Sequence, residues 1–131
     1  RKAMKTTRSI KKHYDFYRVY KKAIFKAGRY LVIYLLNNRT GRNRIGISVG
    51  KKVGNSVQRS RMTRLVKENF RLLEEGVKTG YDIVITVRSL PRAAKTPNNK
   101  MKAVRLPSYE EIRNEMYKLF LKLDFFQERD K

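Results

Sequence analysis

The 131 residues suit one domain, and 33 Lys and Arg against 11 Asp and Glu give a formal net charge of +22, an excess that opposes folding until a polyanion neutralises it. The longest apolar run, Tyr30 to Leu36, is far too short to span a bilayer and no signal-peptide segment is legible, so nucleic acid in the cytoplasm is the expected partner rather than a membrane. The absence of cysteine excludes disulfides, thiolate metal sites and a cysteine nucleophile, and His13 as the sole histidine excludes a histidine metal cluster or a two-histidine nuclease site.

Residues 1–12 are basic and aperiodic, and mobility is expected over 1–8. Residues 13–25 carry Tyr14, Phe16, Tyr17, Val19, Tyr20 and Ile24 at a spacing that predicts a short helix, with Phe16 and Tyr20 on one face. Tyr30 to Leu36 reads as a strand with Tyr30, Val32, Tyr34 and Leu36 on one side and Leu31, Ile33 and Leu35 on the other. After a turn at 37–43, residues 44–49 read as a second strand, with Ile45, Ile47 and Val49 on one face. The other face holds only Gly46 and Ser48 and lacks bulk, so another group is expected to approach it closely. Residues 55–75 form the longest helix, with Asn55 or Ser56 as its N-cap and Gly76 as its stop. Tyr81 to Val87 is a third strand. Residues 88–107 hold all three prolines and read as a long basic loop, either a tether or an RNA-contacting insertion. Ser108 followed by Glu111 is a capping-box signature, and Ile112, Met116, Leu119, Phe120 and Leu123 form the apolar stripe of a last helix. No repeat interrupts the chain, and residues 1–131 are read as a single domain.

The stretch 51–71 carries the chemistry. On a helical wheel Met62, Leu65, Val66 and Leu73 share one arc, while Arg64, Lys67 and Arg71 lie opposite; Arg61 sits at the boundary, and Arg59 lies off the stripe near the first turn. Such a stripe is often only a solvated face. Here Glu68 is the one acid close by, so the pattern is not an ion-pair ladder. Arginine forks and lysine charges suit phosphate oxygens, and Asn55 with the free N–H groups of the first turn adds donors.

The run Lys51-Lys52-Val53-Gly54-Asn55-Ser56-Val57, followed by Arg59, Arg61, Arg64 and Leu65, resembles the arginine-rich signature of bacterial ribonuclease P proteins. The resemblance extends in order through Asp15-Phe16 and Val19-Tyr20-Lys21, the strand from Arg29, the strand from Arg44, Gly80 to Val84, and Ser108 to Glu111, covering about residues 8–123. Ser60 stands where the family usually has Asn, Ser56 replaces a common Ala, Ala23 stands where Gly is usual, and the 88–107 loop is longer than typical.

What the resemblance implies is an α/β (α+β) two-layer sandwich with a mixed sheet of about four strands, three helices and a left-handed β-α-β crossover, like the second domain of ribosomal protein S5. It implies a protein subunit of ribonuclease P that assists removal of the 5′ leader from precursor tRNA. The active site and the catalytic Mg²⁺ would belong to the RNA subunit. The sequence itself offers neither clustered carboxylates for a two-metal site nor a histidine pair. By resemblance, Asn55, Arg59, Arg61, Arg64 and Lys67 contact the ribonuclease P RNA, and Phe16, Tyr20, Val32, Tyr34, Ser48 and Lys52 contact the leader of precursor tRNA. From the residues alone, core packing competes for Phe16, Val32 and Tyr34. The rival readings are a structural ribosomal protein, a helix-turn-helix DNA binder and a protein-only nuclease.

Overall fold

The structure, a computed structural model, describes residues 7–89 and 106–127. In chain order the elements are β1 (Arg8–Ser9), α1 (His13–Lys22), β2 (Ile24–Ala27), β3 (Leu31–Asn37), β4 (Arg44–Val49), α2 (Ser56–Leu73), β5 (Tyr81–Val87) and α3 (Tyr109–Lys122). One five-stranded mixed sheet has the order β1-β4-β5-β3-β2. The pairs β2/β3 and β3/β5 are antiparallel, while β1/β4 and β4/β5 are parallel. Helix α2 is the crossover that joins the parallel neighbours β4 and β5.

Strand alternation sorts the side chains into two unequal cores. Leu31, Ile33, Leu35, Ile45, Ile83 and Ile85 face α2 and α3, where they meet Met62, Val66, Phe70, Ile112, Met116 and Phe120. On the other side Val84 packs with Ile10 and Val19, and Phe16, Tyr34 and Leu36 border that smaller cluster. The alternation read from Leu31 to Leu36 and the apolar stripe of α3 are thus the observed packing, and β4 and β5 begin and end at the expected residues. Ser108 pairs reciprocally with Glu111 as its sequence suggests, and of the two caps open for the long helix it is Asn55 that serves, pairing reciprocally with Gln58.

The mixed sheet, expected at about four strands, has five, two short edge strands joining it. Four expectations are corrected. Tyr30, expected on the face of Val32 and Tyr34, packs instead with Leu31, Ile33 and Leu35 in the larger core, and its hydroxyl donates to Glu111 at 3.0 Å. The first helix stops at Lys22 rather than continuing to residue 25: Ala23 is extended, and Ile24 pairs with Leu35 as the first residue of β2. Of residues 1–8, read as mobile, Thr7 and Arg8 are tied into the fold. Thr7 donates its backbone N–H and its hydroxyl to Glu74 at 3.0 and 2.6 Å, and Arg8 and Ser9 lie alongside Arg44 and Ile45. The long helix ends at Leu73, and a single 3₁₀ turn, Glu74–Gly76, carries the chain on. Residues 1–6, and 90–105 of the expected loop, lie outside the described residues. After α3 the chain turns back, Lys78 donates to the Phe125 carbonyl, and Phe125 is buried against Tyr81 and Phe120.

Candidate nucleic-acid interface

The outward side of α2 is built by exclusion. Met62, Val66, Asn69 and Phe70 are buried, which fixes the helix's rotation and turns Arg61, Arg64 and Lys67 to solvent. No ion pair among the described residues involves these three. Arg61 and Arg64 flank a depression of about 580 Å³ that also takes Ser56, Val57, Ser60 and Leu65 into its wall. The other two sequence-predicted members of this surface have structural duties. Asn55 spends its side-chain oxygen on the Gln58 N–H at 2.9 Å. Arg59, half-buried, donates its Nε to the Gly54 carbonyl at 3.2 Å, which holds its stem against the helix start and leaves its terminal nitrogens available.

The opposite side of the sheet carries a second candidate surface. There the face that lacks bulk in β4 is filled by α1: a Cβ added at Gly46 would lie 2.5 Å from the Phe16 ring. Phe16 is therefore largely a packing residue, set 6.4 Å from Tyr20. Tyr20 stands 4.9 Å edge-on from Tyr34, and Tyr34 lies 5.5 Å from Phe25. The Tyr20 hydroxyl meets the Thr86 hydroxyl at 3.1 Å. Register places Thr86 between Ser48 on β4 and Val32 on β3. Thus Phe16, Tyr20, Val32, Tyr34 and Ser48 come together at one end of α1. Lys52 is exposed on the 3₁₀ turn Lys51–Val53 that follows β4, outside that set of contacts. Burial, then the neighbouring Tyr20, raises the Tyr34 pKa above its ordinary value, so its phenol stays neutral.

Two residues of this cleft were not singled out from the sequence. Phe25 lies within the span 13–25 whose spacing predicts a helix, and only its pairing with Tyr34 makes it part of a strand. Thr86 lies on the same face of β5 as Val84, a signal that was present, but its place between Ser48 and Val32 depends on strand pairing.

Charged groups lock the far end of α1. Arg44 grips Asp82 with two hydrogen bonds, Nε to Oδ1 at 2.8 Å and a terminal nitrogen to Oδ2 at 2.7 Å. Arg18 of α1 adds a third at 3.0 Å and Asn38 a fourth at 2.9 Å. Asp15 lies 3.5 Å from Arg44 and 3.9 Å from Arg18. Burial alone would push the Asp82 pKa up, but the hydrogen bonds from Arg44 and Asn38, with the charges of Arg44 and Arg18, hold it below the ordinary carboxylate value. Among the described residues no three of His, Asp and Glu gather into a group that fits a metal ion, and no helix is long and apolar enough to cross a membrane.

Comparison with known proteins gives this arrangement a context. The family model for ribonuclease P matches residues 4–124. A ribonuclease P protein component from Alkaliphilus metalliredigens is 42% identical over 120 residues, covering 92% of this chain and 96% of the relative. One from Clostridioides difficile is 49% identical over 83 residues, or 63% of this chain and 73% of the relative. Among solved structures, the Staphylococcus aureus RNase P protein superposes with a TM-score of 0.72 at 31% identity, over 96% of this chain and 100% of that one.

Proposed function

The chain belongs to the bacterial ribonuclease P protein family, and from that premise we propose that it works as a clamp between two RNAs, gripping the enzyme's RNA subunit with α2 and the precursor tRNA leader with the α1 cleft. Its place is in tRNA 5′ maturation, as the protein subunit of ribonuclease P. The observation that carries the two-sided reading is the separation of the surfaces: Arg61, Arg64 and Lys67 crown a helix packed on one face of the sheet, and the ring cluster of Tyr20, Phe25 and Tyr34 lies on the other. Arg61, Arg64 and Lys67, with the free end of Arg59, neutralise phosphates of the RNA subunit. Asn55 acts mainly through its cap, by fixing where α2 begins.

In the cleft, exposed ring faces offer sequence-tolerant stacking to unpaired leader bases, and the Ser48 and Thr86 hydroxyls offer hydrogen bonds to the backbone, with Lys52 supplying charge nearby. Mature tRNA has no leader, so these contacts favour precursor over product. Among the described residues no three of His, Asp and Glu form a group that fits a metal ion, which supports assigning cleavage and its Mg²⁺ to the RNA partner; the complex is assigned to the cytoplasm. Screening of RNA–RNA repulsion by this cationic subunit lowers the Mg²⁺ that docking requires.

Reconstitution tests the reading. Added to a bacterial ribonuclease P RNA at low Mg²⁺ and near-physiological salt, the chain should restore leader removal and raise affinity for precursor above that for mature tRNA. Cleavage of precursor tRNA by the protein alone, or no stimulation of the RNA, rejects it; sedimentation with ribosomal subunits in place of stimulation would favour a ribosomal role.

A further inference from the structure

Helix α1 carries two large rings that neither proposed surface uses. Tyr14 is 70% exposed and Tyr17 62%, against 39% for Tyr20 at the cleft. The three tyrosines are spaced three residues apart. Each step therefore turns about 60° around the helix and rises about 4.5 Å. Starting from Tyr20, whose ring rests on Tyr34, the series climbs through Tyr17 to Tyr14 and passes onto the side away from the sheet, since Val19 is fully buried and points inward. The surroundings of this spiral are cationic. Lys21 reaches over the Tyr17 ring, 5.5 Å from its centroid, and Lys11, Lys12 and Lys22 are exposed. The one acid of α1, Asp15, is turned to the sheet side, where Arg44 and Arg18 hold it.

We propose that the Tyr14–Tyr17 face of α1 is a second track for single-stranded RNA, continuous with the cleft, on which leader nucleotides upstream of those at Tyr20 stack while Lys21 and Lys22 neutralise their phosphates. The proposal rests on reading the Tyr20 cleft as the leader site. A solvent-facing tyrosine gains nothing for the fold; beside lysines, on a line of rings that begins inside a cleft, it matches the aromatic platform flanked by charge that unpaired RNA favours. The protein would then sense leader length: a leader that ends in the cleft misses the track, and a longer one gains it.

Binding of the reconstituted holoenzyme to precursor tRNAs with leaders of increasing length tests this. The double variant Tyr14→Ala/Tyr17→Ala should bind mature tRNA and short-leader precursor as the wild type does, and lose roughly tenfold or more on long leaders. Tyr14→Phe/Tyr17→Phe, which keeps the rings, should retain long-leader binding. Both variants should melt like the wild type, because the side chains are exposed. Equal affinity of the alanine variant at every leader length overturns the proposal. So does an equal loss at all lengths, which would place the tyrosines against the RNA subunit, or a change confined to self-association of the protein. A Tyr20→Ala variant run in parallel separates the two ideas: if it leaves precursor binding unchanged, the cleft reading itself fails.

Discussion

Asp82 is fully buried yet charged, and three partners on three elements make that tolerable: Arg44 on β4, Arg18 on α1 and Asn38 in the turn after β3. Its folded pKa lies below the unfolded value, so it contributes stability that is present above the ordinary carboxylate pKa of about 3.9 and is lost as pH falls through the folded one. Asp82→Asn should therefore destabilise the protein at neutral pH and flatten the acid limb of its stability curve. Removing one partner of a buried ion pair costs about 3–5 kcal/mol; Arg18 and Arg44 keep about a third of their side chains in solvent, which lowers the expected loss to about 1–3 kcal/mol. Urea unfolding of both proteins from pH 7 down to pH 3 checks this, and parallel curves would count against it. Phe16 and Tyr20 divide differently. Phe16→Ala opens a hole over Gly46 and should cost about 2–4 kcal/mol, so a binding defect in that variant mixes stability with recognition. Tyr20→Ala should cost less than about 1.5 kcal/mol in stability, since its ring is partly exposed and it loses one hydroxyl contact, while weakening precursor binding about tenfold; thermal melts beside leader-dependent binding separate the two.

At the level of elements, the sequence was most informative where a signal is local. The Ser108/Glu111 box spans three residues and the α3 stripe repeats within one helix, so both were readable in the chain; the Asn55/Gln58 box is as local, but the sequence left Asn55 and Ser56 open as the cap. Strands β4 and β5 were readable because six or seven residues show a period of two. β1 and β2, at two and four residues, are too short to display one; only their pairing with β4 and β3 makes them strands. The candidate site was legible to the same degree. The outward cations of α2 follow from helical periodicity, but the meeting of Tyr20 with Thr86, 66 residues away, depends on register that no local pattern encodes. The α2 assignments diverge in a measurable way. Asn55→Ala should cost about 1 kcal/mol through the lost cap and lower the melting temperature, with a small effect on RNA affinity. Arg61→Ala/Arg64→Ala should leave melting nearly unchanged, weaken assembly with the RNA subunit, and reduce the slope of log affinity against log salt by about 2. An unchanged slope would remove these arginines from the phosphate contacts.

For the whole molecule, the charge of +22 sets folding and assembly against each other. Alone, the chain holds its cations together by the packing of two cores and by buried polar contacts such as the Asp82 cluster, and their mutual repulsion subtracts from stability; bound to RNA, the same cations supply the affinity. Salt acts on both, with opposite sign. Screening shortens the reach of surface charges to about 10 Å at 0.1 M and about 3 Å at 1 M, while the buried Asp82 cluster is shielded far less. Raising salt from about 0.05 to 0.5 M should therefore raise the melting temperature of the free protein by several degrees and, over the same range, lower its affinity for RNA by orders of magnitude. Scanning calorimetry and filter binding across one salt series read the two trends. If the melting temperature fell with salt, surface ion pairs rather than repulsion would dominate the free chain. The exposed arginines and lysines of α1 and α2 would then be partnered within the protein instead of held open for phosphate.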